Sequence, residues 1–394
     1  MRNFAFALWL LSPLLAAQED VVRAAKWRTE EVGVGVLWMR CHFESLFGSK
    51  QHVNVLVVDT RAEPRPRLRI GAAKGRQRTS QLGTKSSAIA ALNGGYFDTK
   101  NADPVGVLEI DGKLLHDDSA PRSVAIAVAK DGVPTILDKP HEQQAKVEDA
   151  LAAGPPLLAD GKPTPHTGWE GMAKVRHPRT AIGLTNDGKL VGLVVDGRTA
   201  ESAGMTCTEL ATTMAALGCT RALNLDGGGS STLWVRGESD GGIVSCPCDN
   251  KTFDHQGERA VANALLVEAA DVVVGDDGEA TLEPAASFVR AQDDACILGE
   301  FRTATPGQGA SASWQLDGML PGKYRAFACW PREPGTVLAE LGEQKLRFVP
   351  KTKPGEWFAL GEVDLTKVQA LRLRLAADGE GTFVVDAVRL VQIR

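Results

Sequence analysis

The stretch from Thr180 to Leu225 constrains the fold more than any other part of the chain. Two apolar runs, "TAIGLT" (180–185) and "LVGLVV" (190–195), are separated by Asn186-Asp187-Gly188-Lys189. An Asp-Gly pair between two such runs is a tight-hairpin signal, so the runs read as antiparallel strands. "TCTELATTMAALG" follows, with Leu210, Met214 and Leu217 on one helical face and Gly218 as a C-terminal stop. "RALNL" (221–225) then returns to a strand pattern. Strand, helix and strand in this order form a right-handed crossover, which makes 190–195 and 221–225 parallel. The expected fold class is α+β: a mixed β-sheet with flanking helices.

That topology gathers charged groups at one sheet edge. Asp196-Gly197 and Asp226-Gly227 close the two parallel strands, and ligands of open α/β sheets bind where strands end. The hairpin brings Arg179, at the start of its first strand, beside Asp196, and Arg198 lies two residues further on. Asp226 opens the run Gly227-Gly228-Gly229-Ser230-Ser231. A hairpin turn needs one or two glycines, so three in succession imply a backbone approached closely by a ligand. The run is no Walker loop, because no Gly-Lys-Ser/Thr follows, and no dinucleotide fingerprint, because no helix pattern follows it. Ser230 is no nucleophile elbow, since Thr232 stands where that motif requires Gly.

Thr206-Cys207-Thr208-Glu209 reads as a capping box. Its helix starts at the same edge, so Glu209 is both a cap and a candidate catalytic carboxylate. "AALNGGYFD" (90–98) repeats the pattern of apolar run, Asn93 and paired glycines, and reads as a second wall of the site. His177 reads as a packing loop histidine. Asp98, Asn101 and Asp103 lack the Gly and terminal Glu of a calcium loop and read as a turn.

The 394 residues allow two or three domains. A net charge of -5 gives no reason to expect nucleic acid or an anionic membrane as partner. "MRNFAFALWLLSPLLAAQED" reads as a secretory leader over residues 1–17, with Arg2, an apolar core from Phe4 to Leu15 and cleavage near Ala16-Ala17. The mature chain is therefore expected to be secreted or periplasmic and without a membrane span. Seven cysteines in an exported chain point to some disulfides. Cys246-Pro247-Cys248 has no second pair at zinc-type spacing, and no metal ligand set is assigned. The acidic stretch 268–284 reads as a linker, after which short alternations such as "KYRAFACW" and "FVVDAVRLV" read as a small β-sandwich.

"NGGYF", "HPRTAIG", "VVDGR", "GMTCTELATTMAALGC", "ALNLDGGGSS" and "RAVANALLV" occur in this order, and over residues 30–268 the chain resembles the phosphodiester glycosidase family. The resemblance implies hydrolytic removal of a sugar, N-acetylglucosamine-like, from a sugar phosphodiester or phosphoglycan, leaving a phosphomonoester. It implies that Asn93, Gly95, Arg179, Asp196, Arg198, Glu209, Asp226, Gly228 and Ser230 carry the site. The cysteine-bearing insert "SCPCDNKTFDHQG" (245–257) departs from the family pattern. Residues 271–394 resemble the golvesin-type C-terminal β-sandwich, which implies binding of a polymeric glycan.

A phosphate ester is a weak base and leaves with little proton assistance, so cationic support from Arg179, Arg198 and the amides of the glycine loop is expected to outweigh a general acid. One carboxylate must still activate water or trap the sugar cation, and Asp226, Asp196 and Glu209 stand as equal candidates. No cofactor is expected, and a structural cation is left open. Two other readings are a metal-dependent phosphodiesterase, which needs several His and Asp ligands, and a non-catalytic binder of glycan or cell wall.

Overall fold

The structure, a computed structural model, describes residues 13–118, 124–143, 147–293, 296, 300–305, 309–317, 319–351, 353–367, 370–379 and 381–393. The described residues are mostly strand with few helices, so the fold is β-rich rather than an even mixture of helix and strand. The chain divides into two compact units, Met1–Ala269 and Ala270–Arg394.

The first unit is built on an eight-stranded sheet in the order Arg28–Gly33, Val36–Leu46, Ser49–Asp59, Lys189–Val195, Arg179–Thr185, Cys219–Asn224, Pro156–Ala159, Lys162–Pro163. Lys189–Val195 and Cys219–Asn224 run in the same direction, but they are not neighbours. Arg179–Thr185 lies between them and pairs antiparallel with both. All neighbouring strands in this sheet are antiparallel, which corrects the expectation of a mixed sheet. The physical reason is the hairpin: its first strand fills the slot that the crossover helix must then pass over.

Alternation along Lys189–Val195 sorts its side chains between two faces. Leu190 and Val194 join Leu92, Ile126, Leu151 and Leu265 in a core shared with a four-stranded and a five-stranded sheet. Val191, Leu193 and Val195 pack instead with Leu210 and Met214 of the helix Cys207–Ala216. That helix has Thr206 as N-cap with the full capping box, and Leu210 and Met214 are completely buried. Truncating either to Ala would cost about 2–5 kcal/mol. The four-stranded sheet, in the order Leu233–Val235, Ala90–Asn93, Ala260–Glu268, Arg67–Arg78, brings the end of Ala90–Asn93 toward the glycine loop.

In the second unit a four-stranded and a five-stranded sheet share one core that contains Trp314, Tyr324, Ala326, Leu373 and Leu390. The acidic stretch 268–284 is not a linker. Val272–Gly275 pairs with Ala387–Ile393 and Thr281–Glu283 with Ser311–Asp317, so apolar residues within the stretch recruit it as two edge strands. The apolar core of the expected leader lies almost wholly outside the described residues, and Pro13–Arg23 is helical. Among the described residues no helix is long and apolar enough to cross a membrane. All seven cysteines are free thiols here, against the expectation of disulfides.

Candidate active site

The register places three strand ends side by side. Arg179 faces Val195, and Ala181 faces Asn224. Asp196, Arg179 and Asp226 therefore sit on one edge, with the two aspartate-bearing strands about 10 Å apart, two inter-strand spacings. The three carboxylates that the sequence leaves equal differ sharply in their surroundings.

Asp196 is 1% exposed. One carboxylate oxygen lies 2.6 Å from His52 Nδ1, and the other accepts the Cys246 N–H at 2.8 Å. Glu209 accepts the Arg176 Nε–H with both oxygens at 3.1 and 3.0 Å, and reaches back to the Thr206 N–H at 2.9 Å as the capping box requires. Arg176 also donates to the Phe47 carbonyl at 2.6 Å, so Glu209 ties the helix start to two loops. Both carboxylates are occupied by the protein itself.

Asp226 differs. Its backbone is fixed by the opposite strand end: its N–H donates to the Gly94 carbonyl at 3.0 Å, and its carbonyl accepts from Asn93 Nδ2 at 2.7 Å. Its carboxyl accepts the adjacent Gly227 N–H at 2.9 Å. Burial pushes the Asp226 carboxyl up to about 6; the Ser230 hydroxyl, the Gly227 amide and the positive charge of Arg259 offset only part of that. A carboxyl raised toward neutrality by desolvation is the mark of a group poised for proton transfer.

Asn93 is fully buried. Its Oδ1 accepts from Thr180 Oγ1 at 2.6 Å and from the Thr232 N–H at 3.1 Å. The Gly95 N–H donates to Asn263 Oδ1 at 2.8 Å. The second glycine-bearing strand end thus abuts the first, and its polar groups brace the loop. The loop amides are also engaged: Gly228 N–H with the Pro178 carbonyl at 2.8 Å, Ser230 and Ser231 N–H with the carbonyls of Gly227 and Gly228. Four of the five loop amides are thus held by the protein itself.

Two of the three glycines have another purpose, while a Cβ on Gly227 would sit 2.9 Å from the Pro178 carbonyl oxygen. Gly228 has φ +62, and a Cβ there would sit 3.0 Å from Arg198 Nη2. A Cβ on Gly229 would lie 1.9 Å from Asp249 Oδ1 and 2.3 Å from Arg259 Nη2. Two guanidinium groups rest on bare backbone beside Asp226, and a side chain at either glycine would push them from their places. Arg259 is held by Asp249 through two bonds of 2.7 Å. Among the described residues Arg198 pairs with no carboxylate; its Nε donates to His177 Nδ1 at 3.3 Å. Burial and the charges of Arg198 and Arg179 push the His177 pKa down, which keeps the ring neutral. A guanidinium only donates, so His177 Nδ1 is the acceptor and its proton is assigned to Nε2.

Arg179 departs from expectation. Its backbone is at the edge, but its 2% exposed side chain turns to the carbonyls of Met205, Met172 and Val175 at 3.0, 2.8 and 2.7 Å. It stitches loops together through these three carbonyls, and among the described residues it makes no ion pair with either aspartate. Tyr96 completes the site: its hydroxyl donates to the Gly154 carbonyl and accepts from Asn224 Nδ2, both at 2.8 Å, and its ring stacks on half-buried Trp169 at 5.6 Å. Sequence reasoning missed Arg259, Asp249, Arg176, His52 and Tyr96. Arg259 opens the "RAVANALLV" stretch and Asp249 lies in the 245–257 insert, so motif and insert were legible although the roles of these two residues were not.

Residues 86–268 match the phosphodiester glycosidase family model, as the sequence resemblance implied. An uncharacterized SPbeta prophage-derived protein of Bacillus subtilis, YomE, is 30% identical over 48% of this chain and 33% of its own length. The N-acetylglucosamine-1-phosphodiester alpha-N-acetylglucosaminidase of Bos taurus is 26% identical over 45% of this chain and 36% of its own. The chain thus spans about a third of the length of these relatives. The catalytic domain of the zebrafish N-acetylglucosamine-1-phosphodiester alpha-N-acetylglucosaminidase, auto-inhibited by its pro-peptide, covers 61% of this chain and 88% of that one at 21% identity and a TM-score of 0.48.

Proposed function

From the match of residues 86–268 to phosphodiester glycosidases, we propose that this chain is an exported hydrolase that removes an N-acetylglucosamine-like sugar from a sugar-1-phosphodiester or phosphoglycan, leaving a phosphomonoester. The observation that carries this reading is Asp226, a carboxyl pushed up to about 6 at the root of a loop on which two guanidiniums rest.

Arg198 and Arg259 hold the phosphate through charge-assisted hydrogen bonds, which strengthen as negative charge collects on the departing oxygen. The phosphomonoester leaves without a proton from the enzyme. Asp226 takes a proton from the attacking water, whose oxygen bonds to the anomeric carbon as the carbon–oxygen bond to phosphate breaks. The reaction balances with water alone, so no cofactor enters. His177 fixes Arg198 in place. Arg179, Asp196 and Glu209 are positioning residues that hold the loops, while Asn93, Gly95 and Gly227 to Ser231 shape the floor. The C-terminal unit is a golvesin-like β-sandwich that tethers the enzyme to polymeric glycan.

Hydrolysis of a sugar phosphodiester in oxygen-18 water tests the bond broken. The label is expected in the freed sugar, read before its anomeric hydroxyl exchanges, with the phosphomonoester unlabelled. Label in the phosphate means attack at phosphorus and overturns the glycosidase reading, and absence of turnover on any sugar phosphodiester favours a binding protein.

A further inference from the structure

Away from Asp226 the same sheet edge carries a second group of side chains. His52 stands at the start of Ser49–Asp59, one residue before Val53, which pairs with Val195. Its carbonyl accepts the Asp196 N–H at 3.0 Å, so the two residues are cross-strand neighbours. The 245–257 insert crosses over them and delivers Cys246, whose N–H is bonded to Asp196. A ring nitrogen of His52, a carboxylate oxygen of Asp196 and the Cys246 Sγ all lie within 4.8 Å of one another. Asp196 is 1% and Cys246 5% exposed, and the His52 side chain is mostly buried.

We infer that His52, Asp196 and Cys246 bind one transition-metal ion of the zinc class. The donor chemistry chooses the ion. Nitrogen, oxygen and sulfur together suit zinc or cobalt, whereas calcium and magnesium take oxygen alone. Tetrahedral bonds of about 2.0–2.3 Å put ligand atoms about 3.3–3.8 Å apart, so shifts of about 1 Å complete the set: the hydrogen-bonded His52 Nδ1–Asp196 Oδ2 pair, now 2.6 Å apart, opens to admit the ion. On binding, the Cys246 thiol loses its proton to solvent. Thiolate and carboxylate then balance the double positive charge, the His52 imidazole binds neutral, and water takes the fourth position.

The residues just beyond Cys246 connect this site to the two guanidiniums. Two positions on, Cys248 Sγ lies 3.8 Å from Arg198 Nη1. One further on, Asp249 grips Arg259. Phe253 packs edge-on against the His52 ring at 5.6 Å. The ion therefore pins the insert to the strand edge and, through it, sets both guanidiniums. It takes no part in the chemical step.

The test uses the full chain, stripped by dialysis against a chelator and re-equilibrated with zinc or cobalt. Elemental analysis is expected to give one ion per chain. Cobalt is expected to add the near-ultraviolet absorption of a thiolate–cobalt bond, which needs no mutant. Cys246→Ala and His52→Gln are expected to lower the stoichiometry to background, with Cys248→Ala keeping it; circular dichroism checks the fold of each. Background metal in the wild type, no thiolate band with cobalt, or loss in Cys248→Ala with retention in Cys246→Ala would each overturn the assignment and leave His52–Asp196 as a plain hydrogen-bonded pair.

Discussion

Replacing Asp226 with Asn separates what this residue costs the fold from what it supplies to turnover. Its carboxyl is pushed from 3.8 up to about 6 by burial, so the folded state holds the proton more tightly than the unfolded chain does. Above about pH 6 the folded protein bears a partly buried negative charge that the unfolded chain would hydrate fully, and stability is reduced; below about pH 4 both states are protonated and the penalty is gone. A displacement of this size corresponds to about 3 kcal/mol, and because Asp226 is only half-buried, solvent screening trims it to about 1–2 kcal/mol. Asn keeps the Oδ1 that accepts the Gly227 N–H, so nothing else of consequence is lost. Thermal unfolding of the first unit at pH 7.5 is expected to rise by about 2–8 °C in Asp226→Asn, with the gain gone at pH 4. Turnover is expected to fall at least 10³-fold, and the wild-type kcat to rise with pH through a limb near 6. A variant that is less stable at pH 7.5, or that still turns over, refutes the assignment of Asp226 as the desolvated base.

Gly228→Val is expected to abolish turnover while circular dichroism stays native, since φ +62 and a Cβ 3.0 Å from Arg198 Nη2 must displace that guanidinium. Near-wild-type kcat in a folded variant would detach Arg198 from the reaction. Glu209→Gln keeps the capping geometry but removes the carboxylate facing Arg176. Melting is expected to fall by a few degrees with kcat within about threefold, about 0.7 kcal/mol in barrier height; a kcat collapse at unchanged melting temperature would make Glu209 catalytic. A chain ending at residue 270 is expected to fold and cleave small soluble sugar phosphodiesters but to lose affinity for polymeric glycan in a pull-down assay. An inactive or insoluble product refutes the separability of the units.

The local sequence determined the hairpin at Asn186 to Lys189, the capped helix Cys207–Ala216 that stops before Gly218, the common direction of the two strands, and hence the sheet edge that carries Asp196, Arg179 and Asp226. Periodicity and turn chemistry act over a few residues, so they can be read along the chain. The choice among three carboxylates could not be read that way, because a carboxylate's state depends on what faces it through space. Asp196 finds His52, 144 positions away, and Glu209 finds Arg176, 33 away. Asp226 is left half-buried with one amide on its carboxylate. The glycine run made the same point from the other side. Its residue types announced a close approach, but only tertiary packing decided that the approaching groups are Arg198 and Arg259. The 245–257 insert, legible as a departure from pattern, became part of the site for that reason: its side chains act across the edge on residues that no local rule connects to them.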